Sequence, residues 1–350
     1  MNRETIKPLG ILSWLAVFAL ALLFMGCGRA GEKRPNTRRG RDAAASDAVL
    51  DSIPPTGQET AGTHTEMKGL SLRMMKGVVM EVPYLTGTAT PLRSGDPVIL
   101  DDPASYKIHV DAAESRIAYA DLANLMNDHV FAYKGAPIQN LRAEREHDEG
   151  EEVRLELKGH LAKLAGIPFE MEGTPEVTPD GRIRVRTRSM QSIGIKIAGL
   201  MDFLGLEAED IIHLKKERGI EVDGNDMILD PSRLLPPPQA SGQVTSVALE
   251  PDGFVMRFGS PPPPSHEENK KEHFIKYRGG TIRLGRMTMT DADLQIFDAE
   301  PGDAFDFSPS DINRQISAGY VKVQLHGGLV IFAPDYAHIH EADLRPPATH

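Results

Sequence analysis

Four tight turns govern what this chain can fold into: His147-Asp-Glu-Gly150, Thr178-Pro-Asp-Gly181, Asp223-Gly-Asn-Asp226 and Glu250-Pro-Asp-Gly253. The first two place glycine where positive φ is needed, and all four separate stretches suited to extended backbone. Reversals this short join neighbouring antiparallel strands, because parallel pairs need a long crossover. The first two turns lie within a series of four expected strands: Ile138–Glu146, Val153–Leu161, Ile167–Val177 and Arg182–Ser189. In the last of these Ile183 and Val185 alternate with Arg182, Arg184, Arg186 and Arg188, giving one apolar and one basic face.

Strand patterning continues on both sides. Met74–Pro83 and Leu85–Pro97 read as extended, with order expected from about Leu70. In Ala104–Ala112 the residues Tyr106, Ile108 and Val110 point one way, and Lys107, His109 and Asp111 the other. Beyond the rigid Leu234-Leu-Pro-Pro-Pro238 bridge, strands are expected at Val244–Leu249, Phe254–Phe258, Phe274–Tyr277, Thr281–Leu284, Met287–Phe297, Val321–Leu325 and Leu329–Phe332. Two stretches have helical period instead. From Tyr119, residues Leu122, Leu125, Met126, His129 and Val130 fall on one face, and Ile197, Leu200, Met201, Leu204, Ile211 and Leu214 form a second stripe over about 196–216. The fold class that follows is α+β and β-dominated. It consists of long curved antiparallel sheet with two amphipathic helices packed in its concave face, followed by a second, β-rich C-terminal half.

The amino terminus is of another kind. Arg3 and Lys7 precede a continuous apolar run, Leu9–Phe24, which ends in Phe24-Met25-Gly26-Cys27. That order is the layout of a lipoprotein signal peptide whose cysteine is acylated and becomes the new terminus. An uncleaved membrane helix is the alternative, since Arg29, Lys33, Arg34, Arg38, Arg39 and Arg41 follow the run. Gly28, in place of a retention aspartate, points to the outer membrane, facing the periplasm; the inner membrane goes with the uncleaved alternative. Cys27 is the only cysteine, so once it anchors the chain no disulfide is available and a packed core must hold the body. The formal net charge of −11 argues against nucleic acid as a partner. Aromatic residues, at 6%, suggest no stacking platform.

Catalytic signatures are missing. The chain has no Gly-x-Ser-x-Gly elbow, no phosphate-cradling Gly-x-x-x-x-Gly-Lys and no His-Glu-x-x-His helix, and a lone cysteine excludes Cys-x-x-Cys sites. Two groups of ligand-type residues occur. His338 and His340 stand near Asp335 and Glu341, and Asp291, Asp293, Asp298, Glu300, Asp303 and Asp306 form an acidic stretch without the order of a calcium loop. A polar tail and a solvated strand edge account for them, so neither a catalytic residue, a metal nor a cofactor is assigned.

Between Tyr119 and Lys216 the order helix, four antiparallel strands, helix resembles that of tubular lipid-binding domains. The helix Ala120-Asp-Leu-Ala-Asn-Leu-Met126, the strand Gly166-Ile-Pro-Phe-Glu-Met-Glu-Gly173 and the turn Thr178-Pro-Asp-Gly-Arg-Ile-Arg184 are similar to the LmeA-like phospholipid-binding family. The remainder, notably Tyr277-Arg-Gly-Gly-Thr-Ile-Arg-Leu-Gly285, resembles uncharacterised bacterial envelope lipoproteins and inherits no function. The family likeness implies a non-catalytic envelope lipoprotein that takes a phospholipid or other acyl lipid into an apolar groove. Val130, Phe131, Ile167, Phe169, Leu200, Met201, Leu204 and Ile211 are its lining candidates, and Arg182, Arg184, Arg186 and Arg188 the candidates for a headgroup. The competing expectation is an assembly lipoprotein that docks an envelope protein through its sheet edges. The segments expected are 1–27 signal and anchor, 28–67 linker, 68–235 lipid-binding-like domain, 236–335 β-rich continuation and 336–350 tail.

Overall fold

A computed structural model describes residues 62–147, 152–162, 166–192, 195–196, 199, 218–260, 272–325, 327–340 and 344. Cys27, the groove candidates Leu200, Met201, Leu204 and Ile211, and nearly all of the expected second helix lie outside the described residues. The chain is β-dominated, as its turn chemistry demands, and its largest sheets are mostly antiparallel.

The central hairpin is long. β1 (Thr63–Met75) and β2 (Val78–Pro91) pair from Thr63↔Ala89 to Met75↔Val78, and Gly77, at φ +73°, makes the reversal. The first strand thus begins at Thr63, inside the stretch expected to be linker. Thr63 and Thr65 are buried there, which polar composition alone concealed. β3 (Val98–Ile99) and β4 (Tyr106–Ile117) follow, with Tyr106, Ile108 and Val110 inward as the alternation requires.

After β4 comes α1 (Tyr119–Leu125), which passes into a single π-helical turn, Met126–Val130. The meander β5 (Ile138–Glu146), β6 (Arg154–Leu161), β7 (Ile167–Val177) and β8 (Ile183–Ser192) comes next, with β9 (Ile195–Lys196) paired to the end of β8. β10 (Ile220–Asp223) and β11 (Asp226–Leu229) complete a seven-stranded antiparallel sheet in the order β10-β11-β8-β7-β6-β5. α1 packs against β5 of this sheet, and against β2 and the strand Gly253–Phe258 of the larger one. It lies between two sheets, where the expectation was a helix in the concavity of one. Its Tyr119 and Leu122 touch both hydrophobic cores, so one short helix couples them.

The short α2 (Pro231–Leu234), capped by Asp230 accepting from the Ser232 N–H, leads into β12 (Gln239–Ser241), which pairs in parallel with β4. β13 (Val244–Glu250) and β14 (Gly253–Phe258) form the next hairpin. β15 (Phe274–Arg278), β16 (Thr281–Leu284), β17 (Met287–Thr290), β18 (Asp293–Asp298), β19 (Phe305–Phe307), α3 (Ile312–Ser317), β20 (Tyr320–Val323) and β21 (Leu329–Ala333) end the chain. The single strand expected over Met287–Phe297 is split at Asp291, which sits at φ +49°. β17, β16 and β3 make a small third sheet.

The larger sheet has eleven strands, with the path β13-β14-β4-β2-β1-β15-β18-β21-β20. Its amino-terminal strands, β4-β2-β1, are thus flanked on both sides by strands from the carboxy-terminal third. Strands from both 63–117 and 239–333 share this sheet, and the seven-stranded sheet is formed by the segment between β4 and β12. β1 serves two neighbours on one side, antiparallel β15 through Lys68 and parallel β19 from Leu70. Gly69 makes the switch at φ +62°, and a Cβ there would lie 2.4 Å from the His273 ring.

Packing follows from this topology. Leu70, Ile117, Ile275, Leu294, Ile296 and Phe305 are fully buried in the larger core. Each contributes on the order of 1.5–3 kcal/mol from burial. In the segment expected to be tail from residue 336, Ile339 is buried.

Candidate functional site

The described groove candidates are core residues. Val130, Phe131 and Phe169 are buried in the smaller hydrophobic cluster, and Ile167 is half-buried at the start of β7. Gly159 on β6 leaves room for the Phe169 ring, which a Cβ would approach at 2.9 Å. The apolar cavities hold about 80 Å³ beside Met67, Met80 and Phe307, and about 50 Å³ beside Ile117, Leu122 and Phe254. Sites for small organic ligands run from roughly 300 Å³ upward. A larger hollow of about 550 Å³ lies over β5–β8, but Arg142, Lys158, His160, Glu170 and Gln191 make its lining polar.

The arginine ladder of β8 is matched by carboxylates. Arg182 reaches Asp180 at 2.7 Å and Glu221 at 2.9 Å, and Arg184 reaches Asp223 and Asp226, each at 3.0 Å. Arg186 pairs with Glu176 at 2.6 Å and Arg188 with Glu152 at 2.8 Å. The basic face is thereby largely neutralised. Exposed pairs of this sort stabilise by no more than about 1 kcal/mol each.

The outermost strand, β20, presents a different surface. Among the described residues five large hydrophobic side chains are exposed, and four of them are Tyr320, Val321, Val323 and Leu325. All four residues of β20 are exposed. Its ladder with β21 runs from Tyr320↔Phe332 to Val323↔Leu329, and the Gln324 N–H donates to the Gly328 carbonyl at 2.7 Å. Hydrogen-bonded pairs alternate in an antiparallel ladder, so Tyr320 and Lys322 bond inward. The N–H and C=O groups of Val321 and Val323 point away from the sheet. Among the described residues nothing pairs with this apolar edge, and such an edge is a template for another strand.

Tyr320 also ends an aromatic row. Phe274, Phe297, Phe332 and Tyr320 are register partners across β15, β18, β21 and β20. Successive ring centroids are 5.9, 5.7 and 4.8 Å apart, and Tyr320 lies at 12° to Phe332. Lys276 covers the Phe274 face at 3.7 Å, and Lys322 lies 4.8 Å from the Phe332 centroid. The four rings, spread over 274–332 in the sequence, meet only through strand order.

Beyond the carboxyl ends of β18 and β21 the two groups of ligand-type residues converge. Glu300, Asp335 and His338 offer ligand atoms that lie within 4.8 Å of one another. His338 Nδ1 is 2.6 Å from Glu300 Oε2 and 3.9 Å from Asp335 Oδ2. Asp335 Oδ1 accepts from the Asp306 N–H at 2.8 Å, and Arg73 holds Asp306 in a two-pronged contact at 2.5 and 2.7 Å. Burial, with Asp298, Asp303 and Asp306 nearby, pushes the Asp335 carboxyl up to about 6, while the neighbouring Glu300 raises the His338 imidazole. Buried Gln315 fixes the surroundings: its Nε2 donates to the carbonyls of Asp306 and Pro334, and its Oε1 accepts from the Ser308 N–H.

Among the described residues no helix is long and apolar enough to cross a membrane. No protein-family model, no curated protein and no solved structure matches this chain.

Proposed function

We propose that this chain is a membrane-tethered envelope protein, lipid-anchored at Cys27, whose body docks a protein partner by strand addition at β20. The observation that carries this reading is the unpaired, apolar β20 edge: Val321, Val323 and Leu325 on one face, Tyr320 closing the aromatic row on the other. A complementary segment is extended. It presents apolar side chains beside Val321 and Val323 and a ring or aliphatic group against Tyr320, and its backbone completes the outward hydrogen bonds. Docking of this kind needs no catalytic group. Uptake of lipid into an apolar groove draws less support, because Val130, Phe131 and Phe169 lie in one packed core and the two apolar cavities lined by described residues are small.

The test is site-specific photo-cross-linking from position 323 of the full chain in living cells. The expected result is one protein adduct of defined mass, lost when Val321→Pro removes an outward N–H. Adducts unaffected by that proline, adducts to lipid, or an adduct of twice the chain's own mass would each overturn docking of a different protein at this edge.

A further inference from the structure

The cluster at the carboxyl ends of β18 and β21 is built by a parallel register. β18 and β21 pair from Leu294↔Leu329 to Asp298↔Ala333, and the Ala299 N–H continues to the Ala333 carbonyl at 2.9 Å. Two residues on, Glu300 and Asp335 emerge side by side. The 3-10 turn Tyr336–His338, closed by the His338 N–H on the Asp335 carbonyl at 3.0 Å, folds the imidazole back over both.

The donor set is open. The Asp335 side chain is only 6% exposed, and its Oδ2 accepts no hydrogen bond among the described residues while facing His338 Nδ1. Negative charge gathers here: Arg73 is engaged with Asp306 and His273 with Asp298, while Glu300 and Asp335 both face His338 and Asp303 lines the same hollow. A hollow of about 410 Å³, also lined by Ser71 and Glu81, leads to the group and leaves room for water ligands.

We infer that Glu300, Asp335 and His338 bind a divalent transition-metal ion of the zinc class, with water completing the coordination. An imidazole nitrogen joined to two carboxylate oxygens suits zinc, cobalt or nickel. Calcium takes six to eight oxygen ligands and is disfavoured by the nitrogen. The 3.9 Å between Asp335 Oδ2 and His338 Nδ1 leaves room for an ion with bonds of about 2.0–2.2 Å to each. The Glu300–His338 contact opens slightly as both groups turn to the metal, and the imidazole must be neutral to ligate. Bound there, the ion pins the final turn to the β18–β19 connection and adds a contact that the unfolded chain lacks.

Titration of the full chain with Co²⁺ and Zn²⁺ at pH 7.5 tests the site. Saturable binding of one Co²⁺ with visible d–d bands is expected, together with a rise in Tm on adding Zn²⁺. His338→Gln should weaken binding at least tenfold and abolish the Tm response, leaving the metal-free Tm within a few degrees because the imidazole is exposed. Asp335→Asn, which keeps an acceptor for the Asp306 N–H, should weaken binding similarly. Equal binding by wild type and His338→Gln, or no saturable binding at 100 µM metal, would overturn the assignment in favour of a plain Glu300–His338 ion pair.

Discussion

At one margin of the eleven-stranded sheet β13 runs against the inserted sheet; at the other, β20 faces solvent along its whole length. The insertion treats β13 group by group. Arg145 of β5 donates to the Leu249 carbonyl at 3.1 Å, the Tyr119 hydroxyl to the Glu250 carbonyl at 2.7 Å, and the Val244 N–H to the Gly181 carbonyl at 3.1 Å. β20 has only Lys322, whose ammonium lies over Tyr320 and Phe332. Sheet edges are ordinarily blunted by cover, charge or proline. A chain that covers one edge with its own insertion and leaves the other apolar and open has two kinds of edge. On the docking proposal, β13 serves stability and β20 recognition.

The largest expected effect falls on the covered edge. Tyr119 touches both cores and caps β13, so Tyr119→Ala should cost about 2–3 kcal/mol, read as a lower urea midpoint. Tyr119→Phe, losing only the hydroxyl, should cost about 1 kcal/mol. Alkali separates the two terms. Burial pushes the Tyr119 phenol up to about 12, so the unfolded chain ionises first, near pH 10. That share of stability is complete below pH 10 and is lost as pH rises through about 12, and the loss between pH 10 and 12 should be shallower in Tyr119→Phe. If Tyr119→Ala were as mild as Tyr320→Ala, the insertion would not be stabilising cover.

Arg145→Ala is the next step down. Its guanidinium is the hydrogen-bond donor to the Leu249 carbonyl, so its loss should cost about 1–2 kcal/mol by chemical denaturation. Lys322→Ala on the open edge should stay within about 0.5 kcal/mol. Equal costs at the two sites would erase the distinction between the edges.

Much of the local structure is legible from period and turn chemistry, and little of the long-range order is. β5 and β7 occupy the residues their alternation marks out, and Pro251-Asp252 turns the chain between β13 and β14. Period two shows which side chains share a face; it does not say which strand lies alongside. Nothing local to Thr63–Met75 indicates that β1 pairs with β15, some two hundred residues later, and nothing in Gln239–Ser241 announces a parallel partner in β4. The same blindness hid the functional candidates. His338 with Asp335, and the acidic run holding Glu300, are each visible in the chain, but only the parallel β18–β21 register unites them. The Arg182–Arg188 ladder was legible as a basic face, and its compensation by Glu152, Glu176 and Glu221 was not, because the carboxylates come from other strands and turns.

The smallest effect on stability carries the sharpest test of the open edge. Proline cannot donate to a ladder and is confined to edge strands whose N–H faces outward. Val321 and Val323 meet that condition, because the inward bonds of β20 belong to Tyr320, Lys322 and Gln324. Val321→Pro should therefore leave the urea midpoint within about 0.5–1 kcal/mol of wild type. Lys322→Pro, one residue on, deletes a bond to β21 and should cost more, detaching the edge strand. The pair isolates backbone direction from local chain stiffness, since both prolines restrict the same strand. Loss of partner cross-linking in Val321→Pro without loss of fold would make β20 a docking edge. Equal destabilisation by the two prolines would show that the outward groups of Val321 are already bonded, and the contrast with β13 would collapse.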